Sequence, residues 1–297
     1  MKVKFLFPLS LFVLVLFGSC SKNDGGSGGT PTPTPPVAAS TTMNVAYGTD
    51  PLQKMDVYLP ANRTTTTTKV LIYIHGGAWA GGDKADLTGA PMDSIRARLP
   101  DYAIFNVNYR LAVFPSTNPF PTQELDVKAA VEYIYNNRAI NLVSDKFVMM
   151  GHSAGGHLSL LHAYKYQTPV KIKAVVDFFG PTDMATMYTD YAGNIPGQFG
   201  LQALMSGTPA TNPTLYASSS PMTFATISAA CPTIILQGGT DVTVYPTQSS
   251  TLRDKLTLAT VVNQYVFYPT LPHGPWSAAT NTDAMNKIVP FLAANVQ

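Results

Sequence analysis

Short apolar blocks recur along this chain, separated by stretches whose apolar positions return every three or four residues. Val70, Leu71, Ile72, Tyr73 and Ile74 make one unbroken block, as a strand buried on both faces requires. Similar blocks at 103–108, 147–150, 172–178, 233–237 and 263–268 predict further strands. Residues 43–47 and 54–59 alternate instead, around Gly48-Thr49-Asp50-Pro51, and predict an antiparallel hairpin. Over 125–135, Leu125, Ala129, Ala130, Tyr133 and Ile134 fall at helical spacing, with Lys128 and Glu132 facing outwards. Helices are also expected at 94–99, 155–166, 247–258 and 283–293. Residues 184–227, rich in Gly, Thr, Ser and Pro, show no period and read as an excursion over the top of a sheet. Strands alternating with helices imply an α/β fold with a mostly parallel, doubly wound sheet and right-handed crossovers. Chemistry in such folds gathers in the loops beyond the carboxyl ends of the strands.

One such loop stands out. The apolar block at 147–150 runs into Gly151-His152-Ser153-Ala154-Gly155 and then into a predicted helix. A Gly-x-Ser-x-Gly turn between strand and helix presents its serine on a strained elbow, and the glycines leave the space that the reversal needs. The pattern alone discriminates poorly, because Gly25-Gly26-Ser27-Gly28-Gly29 repeats it in an obvious linker. Only Ser153 has a strand before it and a helix after it.

A serine hydroxyl needs a base to take its proton and an acid to orient that base. Enzymes with such an elbow carry these partners in the order Ser, acid, His. His273, in the loop after the last strand, is the only histidine downstream of Ser153. Five aspartates lie between them: Asp177, Asp183, Asp190, Asp241 and Asp254. Asp254 falls mid-helix, Asp190 lies in the unpatterned excursion, and Asp183 is placed to cap the segment that follows it. Asp241, in Gly238-Gly239-Thr240-Asp241 after the next-to-last strand, is the preferred acid, with Asp183 in reserve. For the oxyanion, His75-Gly76-Gly77-Ala78-Trp79 follows a buried strand where a glycine loop supplies backbone donors. The expected donors are the N–H groups of Gly77 and Ala154, helped by Gly76 or Ala78. His75 is expected to order this loop. Trp79, Trp276, Phe114 and Phe120 are candidates to line the mouth and stack on a sugar or aromatic acyl group. His152, His157 and His162 read as packing residues, and neither a metal nor a cofactor is implied.

The terminus and the composition give an address. Lys2 and Lys4 precede an apolar run ending at Phe17-Gly18-Ser19-Cys20, which reads as a secretory signal over 1–19. Small residues directly before a cysteine resemble a bacterial lipoprotein signal, with Cys20 the lipidated first residue, although Phe17 replaces the usual Leu. Residues 20–42 read as a Gly/Ser/Thr/Pro-rich tether and 43–297 as one catalytic domain. This makes the expected partner a membrane, reached through a lipid on Cys20 at the periplasmic or outer-membrane face of a bacterium; the alternative is an ordinary secreted protein with an incidental Cys20. Without Lys2 and Lys4 the 19 basic residues become 17, equal to the 17 acidic ones, so no basic surface is on offer to nucleic acid. Cys231 would then be the only free thiol, a small packing residue.

Taken together, the stretches at 75–79, Tyr109-Arg110-Leu111, the elbow and Gly180-Pro181-Thr182-Asp183 resemble the esterase/lipase branch of the α/β-hydrolase superfamily. They are most similar to the bifunctional acetyl/feruloyl esterases of gut bacteria, as are Val45-Ala46-Tyr47-Gly48 and Met55-Asp56-Val57-Tyr58-Leu59-Pro60 in the opening strands. The resemblance covers about residues 43–295 and implies a serine carboxylic-ester hydrolase acting on short acyl or carbohydrate-linked esters. Two departures are Ala78, where hormone-sensitive-lipase-like enzymes carry Gly, and the loose Val242-Thr243-Val244-Tyr245-Pro246 after Asp241. His-Gly-Gly-x-Trp also occurs in arylformamidase-like relatives, so a formamide or peptide substrate is the alternative. A non-catalytic binding module would be expected to have lost the nucleophile or the base.

Overall fold

The structure is a computed structural model that describes residues 36–297; the predicted signal at 1–19, Cys20 and the tether up to residue 35 lie outside the described residues. Eight strands form one sheet: β1 (Ser40–Ala46), β2 (Lys54–Leu59), β3 (Lys69–Ile74), β4 (Tyr102–Val107), β5 (Phe147–His152), β6 (Ala174–Phe178), β7 (Thr233–Gly238) and β8 (Asn263–Tyr268). Their order is β1-β2-β4-β3-β5-β6-β7-β8. β1 pairs antiparallel with β2 and β2 with β4, and every other pair is parallel. Each apolar block predicted as a strand forms one, and the alternating pair is the antiparallel hairpin.

Among the described residues ten α-helices accompany the sheet: α1 (Gly89–Arg98), α2 (Thr122–Asn136), α3 (Arg138–Asn141), α4 (Ala154–Lys165), α5 (Met184–Asp190), α6 (Ile195–Leu204), α7 (Pro213–Ser218), α8 (Pro221–Phe224), α9 (Pro246–Leu258) and α10 (Ala278–Asn295). They cover both faces, so two apolar layers form. Met92 and Ile95 of α1 and Ile288 and Leu292 of α10 meet Leu71, Ile104 and Val148 on one face. On the other, Val127 of α2, Leu158 of α4 and Leu252 of α9 meet Val70, Ile72 and Phe147. Strands buried on both faces, such as β4 and β7, have no outward polar positions for this reason.

Two expectations need correcting. The domain starts before residue 43: β1 opens at Ser40, Val37 O accepts from Asn62 N–H at 2.7 Å, and Ala38 O accepts from the Arg63 guanidinium at 2.5 Å. Backbone pairing on an edge strand asks for no apolar side chains, which is why hydrophobicity did not mark its beginning. The 184–227 excursion is helical, carrying α5, α6, α7 and α8. Each is too short to display a period. Their starts are nonetheless written in caps: Asp183 Oδ1 accepts from the N–H groups of Ala185 and Thr186, Asn194 Oδ1 accepts from Gly197 N–H, and Pro196, Pro213 and Pro221 open α6, α7 and α8.

Cys231 is buried, which pushes its thiol up to about 12. On α4, His162 is buried with neither ring nitrogen partnered. Burial first, and Lys128 second, lower its pKa to about 3. The unfolded imidazole keeps an ordinary value of ~6.5. The stability tied to its neutrality is therefore whole above about pH 6.5 and drains away as the pH falls towards 3. His162→Leu removes two unpaired polar atoms of similar bulk. It should raise stability by about 1 kcal/mol at neutral pH and flatten the loss of Tm between about pH 6.5 and 5. Thermal melts across that range provide the check; a lower Tm in the variant at every pH would contradict it.

Candidate active site

β5 ends at His152, and α4 begins at Ala154, leaving one residue to reverse the chain. Ser153 makes the reversal at φ 54°, ψ −121°, a left-handed conformation that costs a non-glycine residue energy. Its N–H donates to Phe178 O at 2.8 Å, which ties the elbow to the end of β6. The flanking glycines are required by contact: a Cβ at Gly151 would stand 2.3 Å from the Gly155 carbonyl carbon, and one at Gly155 2.1 Å from Ile74 O.

Three loops at the carboxyl ends of β5, β7 and β8 bring Ser153, Asp241 and His273 together. His273 Nε2 lies 3.0 Å from Ser153 Oγ, and His273 Nδ1 lies 2.7 Å from Asp241 Oδ2. A carboxylate only accepts, so Nδ1 carries the proton and Nε2 is left to accept from the serine hydroxyl. Asp241 is 2% exposed, and its Oδ1 accepts from the N–H groups of Thr243 and Val244 at 2.9 and 2.8 Å. Both oxygens are thus committed, and the carboxylate cannot rotate away from the imidazole. Gln237, at the end of β7, adds a donor that the sequence reading missed. Its Nε2 donates to Asp241 Oδ2 at 3.2 Å while its Oε1 accepts from Ser249 Oγ at 2.7 Å. The available signal was one amide closing an otherwise apolar strand.

The other aspartates lie elsewhere. Asp183 caps α5, Asp254 is exposed on α9, and Asp190 Oδ2 accepts from Gln248 Nε2 at 3.3 Å. Asp177 is fully buried on β6, with Oδ1 accepting from Gly180 N–H at 3.0 Å, and burial raises its pKa well above the ordinary carboxylate value.

The glycine loop after β3 lies against Ser153. A Cβ at Gly76 would come within 2.9 Å of His152 O and 3.4 Å of Ser153 Cβ. Gly77 sits at φ +109°, where a Cβ would also meet Gly81 O at 2.2 Å. Among the described residues no acceptor takes the N–H groups of Gly76, Gly77, Ala78 or Ala154. Ala154 N–H is one of the orphan donors of a helix N-terminus. His75 holds the loop: its Nδ1–H donates to Gly76 O at 2.7 Å and its ring stacks on Tyr109 at 4.3 Å. Burial lowers the His75 pKa, so the ring acts here as a neutral brace. His152 is also neutral, lowered to about 4 by burial and then by the nearby His273; its Nδ1 lies 3.0 Å from Tyr73 Oη.

The sequence profile of the BD-FAE family matches residues 55–256. The chain belongs to the BD-FAE family. Among solved structures, a truncated carbohydrate esterase from gut microbiota superposes on it with a TM-score of 0.73 at 23% identity, covering 87% of this chain and 96% of that one. A bifunctional GH43-CE protein of Bacteroides eggerthii also gives 0.73, at 25% identity over 86% of this chain and 35% of its own. Esterase LipC of Mycobacterium tuberculosis is 27% identical over 230 residues, 71% of this chain. The chain spans about half of LipC, 54% of its length. These likenesses make the architecture an α/β-hydrolase fold with an N-terminal antiparallel pair.

In this BD-FAE protein the aromatic candidates separate. Trp79 does not reach the mouth: it is 3% exposed, and its Nε1–H donates to His157 Nδ1 at 3.1 Å. His157 Nε2–H in turn donates to Ser219 O at 2.7 Å, so the pair braces the glycine loop against α4 and the excursion. Phe120 is also buried, whereas Phe114 is exposed. Trp276 is half-buried, and its Nε1–H donates to Pro272 O at 2.9 Å across the His273 loop.

Gly76→Ala tests the loop. The added methyl must push the backbone away from His152 O and Ser153, so kcat should fall about 100-fold, the loss of one oxyanion donor, with KM little changed. Steady-state kinetics on a p-nitrophenyl ester measure it, and an unchanged kcat would remove Gly76 from the site.

Proposed function

We propose that this chain is a serine carboxylic-ester hydrolase working through an acyl-enzyme. The observation that carries the proposal is the run of contacts from Ser153 Oγ to His273 Nε2 at 3.0 Å and from His273 Nδ1 to Asp241 Oδ2 at 2.7 Å, beside backbone N–H groups without acceptors. Ser153 Oγ attacks the ester carbonyl carbon while His273 Nε2 takes its proton. Asp241 keeps the imidazole in its working tautomer and stabilises the imidazolium. The carbonyl oxygen becomes an oxyanion facing the N–H groups of Gly77 and Ala154, with Gly76 assisting. Collapse breaks the bond to the alcohol, which leaves with the proton from His273. Water then repeats the sequence on the acyl-enzyme, releasing the acid and freeing Ser153.

Short acyl or carbohydrate-linked esters are the proposed substrates, in keeping with family membership and with relatives named as esterases. A panel of acetyl-xylan, feruloyl esters, short p-nitrophenyl esters, formylkynurenine and a peptide separates the ester reading from its formamide and peptide alternatives. Turnover of the esters is the expected result. Turnover of formylkynurenine alone would give the formamidase reading, and no turnover at all a binding module.

The proposed address is the bacterial cell envelope, through a lipid on Cys20. The described chain enters the domain at Ser40, level with the start of β4 and opposite the strand ends that bear Ser153, Asp241 and His273. Membrane-purified wild type should be heavier than expected by an acyl modification that Cys20→Ala lacks; equal behaviour in mass spectrometry would end this proposal.

A further inference from the structure

Two non-glycine residues in left-handed backbone stand at the ends of neighbouring strands. Ser153 is one. The other is Phe179, at φ 44°, directly after β6. A bulky side chain at positive φ is an outlier that persists only where its surroundings hold it, and such strain gathers at functional sites. Phe179 is held by its N–H, which donates to Leu236 O of β7 at 2.8 Å. The turn delivers its ring to the back of His273, at 4.6 Å between centroids and 60° between planes. The same ring meets His152 at 5.7 Å and Trp276 at 5.0 Å. Gly274 lies against it too, where a Cβ would come within 2.9 Å of Phe179 Cζ. The 273–276 loop therefore rests on this one ring through three of its residues.

We propose that Phe179 is a positioning residue for His273. The inference rests on the Ser153–His273–Asp241 reading. At rest the imidazole is fixed at both nitrogens, but the bond to Ser153 Oγ is lost once the serine is acylated. From then until deacylation the Asp241 bond and the Phe179 ring packed 4.6 Å away hold the imidazole. One hydrogen bond leaves a ring free to swing, whereas a bulky ring packed beside it restricts that swing. Phe179 thus keeps Nε2 aimed at the leaving group and then at the incoming water, and a misplacement of about 1 Å there costs up to about 100-fold.

Phe179→Gly and Phe179→Ala both remove the ring, but only glycine relieves the backbone. Both should lower kcat on p-nitrophenyl acetate by about ten- to 100-fold, with KM within about threefold, whereas Tm should be higher for Gly than for Ala. Phe179→Leu, which restores bulk, should recover most of kcat. The low-field proton resonance of the His273–Asp241 hydrogen bond should broaden in the Gly and Ala variants, which a packing role alone would not produce. Gly274→Ala approaches the same contact from the loop and leaves the core intact. It should lower kcat by itself, and combining it with Phe179→Leu, which frees the space at Cζ, should cost less than the two changes separately. Wild-type kcat in Gly274→Ala, or an unaltered resonance in Phe179→Gly, overturns the proposal. Wild type no faster than Ser153→Ala would instead overturn the underlying catalytic reading.

Discussion

Ser153→Ala should lower kcat on a p-nitrophenyl ester by about a million-fold while leaving the fold intact. The size follows from the geometry. Alanine deletes one atom, Oγ, and with it the hydrogen bond to His273 Nε2 at 3.0 Å. The backbone bond from residue 153 N–H to Phe178 O does not involve the side chain and remains. Nucleophile and base act as a unit, so losing either removes nearly everything that depends on their cooperation. What survives is the contribution of backbone donors and substrate binding, about 10³–10⁴ over water. Stopped assays at high protein concentration read this floor. Melting curves should overlay, since Ala at φ 54° is no easier than Ser. Activity within tenfold of wild type would place the nucleophile elsewhere.

Asp241→Asn should cost about 10⁴ in kcat. The surroundings dictate which way the amide must lie. Thr243 N–H and Val244 N–H both point at Oδ1, so the amide oxygen stays there and the NH₂ takes the place of Oδ2. That NH₂ faces His273 Nδ1 and also the donating Nε2 of Gln237. Nδ1 must then accept, the imidazole proton moves to Nε2, and the ring presents a donor to Ser153 where a base is needed. Asp183→Asn serves as the control. Asn is as good an N-cap as Asp, so both stability and kcat should stay near wild type. If Asp183→Asn were the more damaging of the two, the acid would be misassigned.

Much of this was legible locally. A strand buried on both faces must be apolar throughout, and an elbow between strand and helix must have small residues where Gly151 and Gly155 stand. Such demands involve neighbours in sequence, so they show as pattern. Asp241 and His273 were legible for another reason: in a parallel sheet every strand's carboxyl end faces the same way. Position after a strand therefore says which end of the molecule a residue occupies. The aromatic side chains carried no such signal. Trp79 follows a buried strand just as a mouth residue would, and only the partner it meets, His157 on α4, turns it inward. Phe179 was invisible because its work is done against a residue that follows it by nearly a hundred positions.

By itself the chain's order of residues determined the alternation of strands and helices, the elbow at Ser153 and the loops able to carry its partners. Each of these is set by chain periodicity and by steric needs within a few residues. The tertiary structure alone decided that Ser153 and His273, 120 positions apart, come within 3.0 Å, and that Phe179 stands behind the imidazole. Those distances depend on the order of the strands and on how the side chains of separate loops fill one space, which no local pattern contains.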